Sequence, residues 1–267
     1  MILTALIASA CALSAGTWRT DPAWYDGRAE VCVYEATRTI YGVERRYEAR
    51  AYTNKELLDE RRGVKAEGQQ GLEVFKHHWS ERVPTEKYDY DFSTMSYART
   101  SDLSPWKLTA ATQDDCGASF KEVWRVGSGY AFWESVYFPG AGRRSGELER
   151  GFVFFDALPL TLRDYDFEAK RDLVLAVLPS QKDVRAVSFV PERRTVRFAG
   201  TAELDLPIGK LRAHELVLLR PDGSTEARYW FDADGSAPAL HVLVRHEGPG
   251  GVGYRLARRE RSAYWER

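Results

Sequence analysis

The sequence predicts a mainly β protein, built as a strongly curved antiparallel sheet or open half-barrel with one or a few short helices. Three observations carry this. Short runs rich in β-branched and aromatic residues follow one another from Arg28 onward, many alternating apolar with charged side chains as a half-exposed strand does. Glycine and Asp-Gly turns punctuate those runs at short intervals. Aromatics reach 13%, with 8 Trp and 14 Tyr, and large flat rings suit pleated sheets and apolar grooves better than helical bundles. A chain of 267 residues is long enough to bury a sizeable core. Its net charge of -1, with no basic stripe interleaved with aromatics, argues against a nucleic-acid partner.

The opening run, MILTALIASACALSAG (residues 1–16), is uncharged and reads as a secretory leader, too short for a membrane-spanning helix. Ala8-Ser9-Ala10-Cys11 also resembles a lipobox, in which Cys11 is acylated and becomes the membrane anchor. Plain export with cleavage after an Ala-x-Ala site is a second reading, and a buried N-terminal strand a third. The first two put the mature chain in the periplasm or on the periplasmic side of an outer membrane. Cys32 and Cys116 then remain, and in an oxidising compartment such a pair is either bonded or free.

Residues 17–267 read as one domain. AEVCVYEATRTIYG, ending on Gly42, is the first strand and ERRYEARAYT the second. GVKAEG and GLEVFKHHW follow, set off by Gly63, Gly68 and Gly71. KLTAATQ, SFKEVWRVGSGYAFWESVYF, LVLAVLP, VRAVSFV, RTVRFAGTAEL, KLRAHELVLLR, EARYWFD, ALHVLVRHE and VGYRLARRER continue the pattern. Turns at Pro221-Asp222-Gly223-Ser224, Ala233-Asp234-Gly235-Ser236 and Gly248-Pro249-Gly250-Gly251 separate the later strands. The helix candidate runs from Phe155 to Arg163, with Asp156 as its cap, Pro159 in its first turn and leucines at helical spacing. It lies between two strand blocks, so two sheet segments meeting near 150–166 are the one internal division on offer.

TQDDCG, residues 112–117, is the most reactive-looking stretch. Adjacent strand residues point to opposite faces, so Asp114, Asp115 and Cys116 cannot all aim at one ion unless the chain turns sharply. Zinc spacings such as C-x-x-C or H-x-x-x-H are missing, and the His77-His78 pair diverges on a strand. As a nucleophile, Cys116 would need a histidine base, and the neighbouring carboxylates discourage a thiolate. The reading that follows is a turn in which Gln113 ends a strand, Asp115 opens the turn, Gly117 closes it and Cys116 tucks inward. GPGGVGYR lacks the Lys-Ser/Thr ending of a phosphate loop and leads into a strand, so it reads as a hairpin loop. No motif calls for a metal or a cofactor. Tyr88, Tyr90 and Phe92 would share one strand face, with Asp89 and Asp91 opposite, as a core edge or the aromatic wall of a groove.

Several fragments, taken in order, resemble a family of bacterial envelope lipoproteins of unknown function. They are Trp24 to Glu30, Tyr41-Gly42, Val64-Lys65-Ala66, Val74-Phe75-Lys76, Thr85 with Tyr88-Asp89-Tyr90, Lys107, and Gln113 to Gly117. Members are sometimes labelled Maf-like septum formation inhibitors, but a Maf pyrophosphatase would be a cytoplasmic α/β protein, and this chain reads as neither. The resemblance covers about residues 24 to 120 and marks Trp24, Lys65, Lys76, Tyr88, Tyr90, Lys107, Gln113 and Cys116 as signature or groove positions. The family has an aromatic where Asp115 stands, and Cys32 lies outside its pattern. The second half, from Leu206-Pro207-Ile208-Gly209 to Tyr229-Trp230-Phe231-Asp232, is similar to periplasmic β-sheet proteins related to the lipoprotein carriers LolA and LolB. That resemblance implies a curved sheet around an apolar groove closed by short helices.

Function is therefore expected to be non-enzymatic: an exported, lipid-anchored protein holding a lipid or acyl chain in a curved-sheet groove. Two alternatives stand beside it, an envelope hydrolase using Cys116 with a histidine, and a structural lipoprotein that binds a protein partner.

Overall fold

The computed structural model describes residues 17–68, 70–234 and 240–266. The leader with Cys11, and part of the Ala233–Ser236 turn, lie outside the described residues.

A long hairpin, β1 (Ala29–Ile40) and β2 (Val43–Asp59), forms the middle of the sheet, and β3 (Val64–Lys65) pairs with the end of β2. From there β4 (Leu72–Val83), β5 (Tyr90–Arg99), β6 (Pro105–Asp114), β7 (Gly117–Val126), β8 (Gly129–Val136) and β9 (Gly142–Leu148) run outward as a meander. The chain then crosses to the opposite edge. There β10 (Val153–Phe154) is followed by α1 (Leu158–Thr161), which is flanked by 3-10 turns at Phe155–Ala157 and Leu162–Asp164. The return path is β11 (Leu173–Leu178), β12 (Glu192–Leu206), β13 (Gly209–Leu219), β14 (Thr225–Asp232), β15 (Leu243–Glu247) and β16 (Gly253–Ser262). β16 pairs antiparallel with β1, from Ala29↔Ser262 to Thr37↔Gly253, and joins both halves into one sheet. The pairing is antiparallel throughout except between β10 and β11.

This order dictates the curvature. β9 and β10 are the two ends of the strand path, yet only residues 149–152 connect them. Such a link spans at most about 18 Å. Laid flat, the path would be roughly 67 Å wide at the usual strand spacing. The sheet must therefore curl until its edges approach without pairing. The predicted open, curved antiparallel architecture is the one observed.

Side-chain alternation places the core on the concave face. On β5, Tyr90, Phe92, Thr94, Ser96 and Ala98 are buried, while Asp91 and the residues between them are more exposed. The main apolar cluster lies between β1, β2, β4 and the C-terminal strands, with Leu158, Leu160 and Leu162 of the helical insert at its centre. Pro159 stands in the first turn of α1, where its missing N–H costs nothing. Asp156 is not the helix cap expected from sequence. It accepts from Ser180 Oγ (2.6 Å) and Gln181 N (2.8 Å), tying the insert to the segment after β11.

That segment is the main departure from the expected strands. VRAVSFV, residues 184–190, is not a strand but an irregular run laid against the concave face of β7 and β8. Phe189 stacks on Phe132 with centroids 4.1 Å apart. Its backbone is satisfied by side chains instead of a ladder: Lys121, 1% exposed, donates to the carbonyls of Gln181 (3.2 Å), Asp183 (3.0 Å) and Arg185 (2.5 Å). Three carbonyls match the three N–H donors of a buried ammonium. ALHVLVRHE is also shorter than expected, because His241 adopts φ 47 and the strand begins only at Leu243.

Candidate functional site

The helical insert and the 179–190 segment fill much of the curved sheet, and between them and the strands a cavity of about 490 Å³ remains. Its buried floor is aromatic. Trp79 of β4 stacks on Tyr254 of β16 (4.7 Å between centroids) and on Tyr34 of β1 (5.1 Å), which β1–β16 pairing brings into register. Phe92, Phe155 and Pro159 extend the apolar wall. The rim is more exposed and carries Thr39, Tyr41, Arg185 and the Gly248–Gly251 loop. Gly250 and Gly251 sit at φ 71 and 70, which favours glycine, and a Cβ on Gly251 would collide with Thr39 Oγ1.

The polar groups of the wall divide into engaged and unengaged sets. Lys182 forms an ion pair with Glu81 and lies 2.9 Å from the Tyr254 hydroxyl. Glu81, 2% exposed, also accepts from Tyr254 Oη (2.6 Å) and Tyr47 Oη (2.9 Å). Burial alone would raise its carboxyl, but the Lys182 and Arg38 charges and the Lys182 and Tyr254 hydrogen bonds outweigh that and hold it down to about 2. Asp156 is raised by burial, against the pull of Lys182 and its Ser180 hydrogen bond. Arg38 differs: its guanidinium lies 4.0 Å from the centroid of Phe92 and makes no hydrogen bond or ion pair among the described residues. The Arg185 side chain is likewise without one, and the buried Tyr229 hydroxyl has no hydrogen-bond partner.

TQDDCG packs beside the rim. Asp114, not Asp115, organises the turn: its Oδ1 accepts from Cys116 N (2.7 Å) and Gly117 N (3.0 Å), closing an Asx turn between β6 and β7. Cys116 is exposed, contrary to the inward placement expected, because a two-residue turn takes its side chain off the strand alternation. Its Sγ donates to Tyr88 Oη at 3.2 Å. Tyr88 in turn neighbours Tyr41 and Tyr90, and the Tyr41 and Tyr90 hydroxyls are hydrogen-bonded. Burial and the Tyr41 hydroxyl push Tyr90 up to about 12.

Neither His77 nor His78 can serve Cys116 as a base. His77 and His78 share cross-strand rows with Leu108 and Thr109, at least five residues from the Asp114 end of β6, or roughly 16 Å along the strand. Proton transfer needs hydrogen-bond reach. Cys32 is buried and free, and burial, with Glu30 nearby, pushes its thiol up to about 12, so the two cysteines are unbonded.

Of the eight signature positions, Tyr90 alone lines the cavity, and Tyr88 and Cys116 abut it through the tyrosine cluster. Trp24 belongs to the core, edge-on to Phe75 at 5.1 Å. Lys76 and Lys107 lie in one cross-strand row with Tyr97 on the more exposed face, paired to Glu56 (3.4 Å) and Glu122 (2.6 Å). Lys65 is exposed on β3 and Gln113 is exposed at the end of β6. Among the described residues there is no group of three or more His, Cys, Asp and Glu that could hold a metal, and no helix long and apolar enough to cross a membrane.

No protein-family model matches the chain, and no curated protein does either. Two solved structures are similar to it. A beta-barrel-like protein of domain of unknown function DUF1849 from Brucella abortus aligns over 88% of this chain and 98% of its own, at 8% identity and a TM-score of 0.53. A DUF1089 family protein from Pseudomonas aeruginosa aligns over 75% of this chain and 90% of its own, at 10% identity and a TM-score of 0.38. The first of these is a likeness of fold, and it agrees with the curled sheet described above.

Proposed function

We propose that this chain is an exported, lipid-anchored, non-enzymatic envelope protein that holds an apolar ligand, a lipid or acyl chain, in the cleft of its curved sheet. The observation that carries the reading is the cleft: about 490 Å³, floored by Trp79 and Tyr254 and walled by Phe92 and Phe155. Pockets of this size and composition take one small ligand and bury most of its surface. Native mass spectrometry and organic extraction of protein purified from envelopes are expected to reveal a co-purifying apolar molecule. Protein that is ligand-free by both methods, and that fails to bind any long-chain probe, would sink the proposal.

The anchor is tested separately. Cys11→Ser is expected to abolish labelled-palmitate incorporation and to release the protein from the membrane fraction, since stable attachment rests on the acyl chains. Retention of both would refute the lipobox reading.

A further inference from the structure

Building on the reading of the cleft as an apolar ligand site, we propose that its ligand is an anionic amphiphile: a single acyl chain whose carboxylate or phosphate head is received by Arg38 and Arg185. The polar groups of the cleft differ in whether their hydrogen-bonding atoms are already satisfied. Lys182 is neutralised by Glu81, and both oxygens of Glu81 are occupied, one by Lys182 and Tyr254 and the other by Tyr47. Asp156 is engaged by Ser180 and Gln181, and Asp183 Oδ1 by the Arg185 N–H. What remains is two guanidiniums with no hydrogen-bonded or ion-paired partner among the described residues.

Arg38 is half-buried on β1, its plane seated over Phe92, with its N–H donors unused. The Glu81 and Asp183 charges offset that of Arg38, but its half-buried N–H donors stay unmet, and an anionic acceptor would satisfy them. A planar fork of donors fits a carboxylate or a phosphate in the bidentate manner. Beyond the head, the stacked Trp79 and Tyr254 with Phe92 and Phe155 offer a surface suited to methylenes. The cavity volume matches one chain more readily than a paired-chain lipid. The buried Tyr229 hydroxyl in the same wall is a further unmet donor within the site.

Displacement of a fluorescent apolar probe from the mature protein tests this with four competitors: palmitate, hexadecyl phosphate, hexadecanol and inorganic phosphate. Palmitate or hexadecyl phosphate is expected to compete about ten-fold better than hexadecanol, the usual gain for a charge-assisted pair of hydrogen bonds, and their relative strength names the head. Arg38→Met should erase that preference. Arg185→Met, at an exposed position where folding is undisturbed, should reduce it. Equal competition by palmitate, hexadecyl phosphate and hexadecanol would overturn the anionic head while leaving the apolar site standing. Failure of every long-chain competitor would overturn both. Inorganic phosphate competing as well as hexadecyl phosphate would overturn the amphiphile.

Discussion

Arg163→Met is expected to destabilise the protein by about 3–5 kcal/mol, the usual cost of leaving one member of a buried ion pair alone. Arg163 comes from the 3-10 turn after α1 and is 3% exposed. Its Nη2 donates to Glu30 Oε1 at 2.7 Å, and its Nη1 to the Leu240 carbonyl at 3.4 Å. Glu30, on β1, is 1% exposed and has one other cation near it, Arg259 at 3.4 Å. The truncated variant would leave the buried Glu30 carboxylate with Arg259 as its one remaining ion-pair partner among the described residues and orphan the Leu240 carbonyl as well. Urea unfolding should show a lower midpoint at unchanged slope. Glu30→Gln combined with Arg163→Met should recover a large part of the loss, because the buried charge itself is gone. A single-variant loss below about 1 kcal/mol would contradict this account. Because the same insert carries Phe155 and Pro159 of the cleft wall, the variant should also weaken probe binding at temperatures where it remains folded.

The pair shows why only part of this molecule was legible in its sequence. Alternation on β6 and at the start of β5 is local, with Asp91 facing out and Tyr90 and Phe92 in, and needs no distant residue; the rest of β5 and all of β9 lie outside the runs that the sequence predicts as strands. The turn at residues 114–117 was readable for the same reason, though the direction of Cys116 was not, since a turn residue belongs to neither face. His77, Glu81, Lys121 and Glu134 occupy the concave face despite their polarity. Their partners lie far off in sequence: Lys182 for Glu81, the carbonyls of residues 181–185 for Lys121. VRAVSFV was misread because its apolar alternation is real but is satisfied by docking Val184 and Phe189 inward, with Lys121 and Ser119 taking its carbonyls. Of the cleft, the Tyr90–Phe92 wall lay in a short stretch that the sequence singles out, and its floor and charged groups did not. Arg38, Trp79, Lys182 and Tyr254 meet only because β16 closes onto β1, a pairing between strands more than two hundred residues apart.

The same buried polar face makes the fold acid-sensitive well above the carboxylate range. His77, 2% exposed, accepts the indole N–H of Trp79 on Nε2 (2.7 Å), and a tryptophan is a donor only. Nε2 must therefore be unprotonated, and Nδ1 carries the hydrogen shared with Thr53 Oγ1 (2.8 Å). Protonation would set two donors against each other in a buried site, so His77 stays neutral, and burial holds its pKa well below the usual value. His246 donates through Nδ1 to the Arg228 carbonyl (3.0 Å). Burial, aided by the Lys182 charge, depresses it to about 3, against the opposing pull of the Arg228 hydrogen bond and of Glu81. The unfolded chain takes up protons at both histidines from about pH 6.5 downward, whereas the folded chain refuses them. Stability is thus fully present above that pH and falls as the pH drops, for His246 until its folded value near 3. For His246 the slope is about 1.4 kcal/mol per pH unit, or roughly 2.5 kcal/mol between pH 6 and 4, and His77 adds in the same direction. That is a large fraction of the stability of many domains. Denaturant midpoints at pH 7, 6, 5 and 4 should fall steadily over this range, and His246→Gln should reduce the slope. A flat profile down to pH 5, or an unchanged slope in the variant, would refute the assignment. Trp79 is both the partner of His77 and the floor of the cleft, so probe release should begin in the same pH interval as the loss of stability.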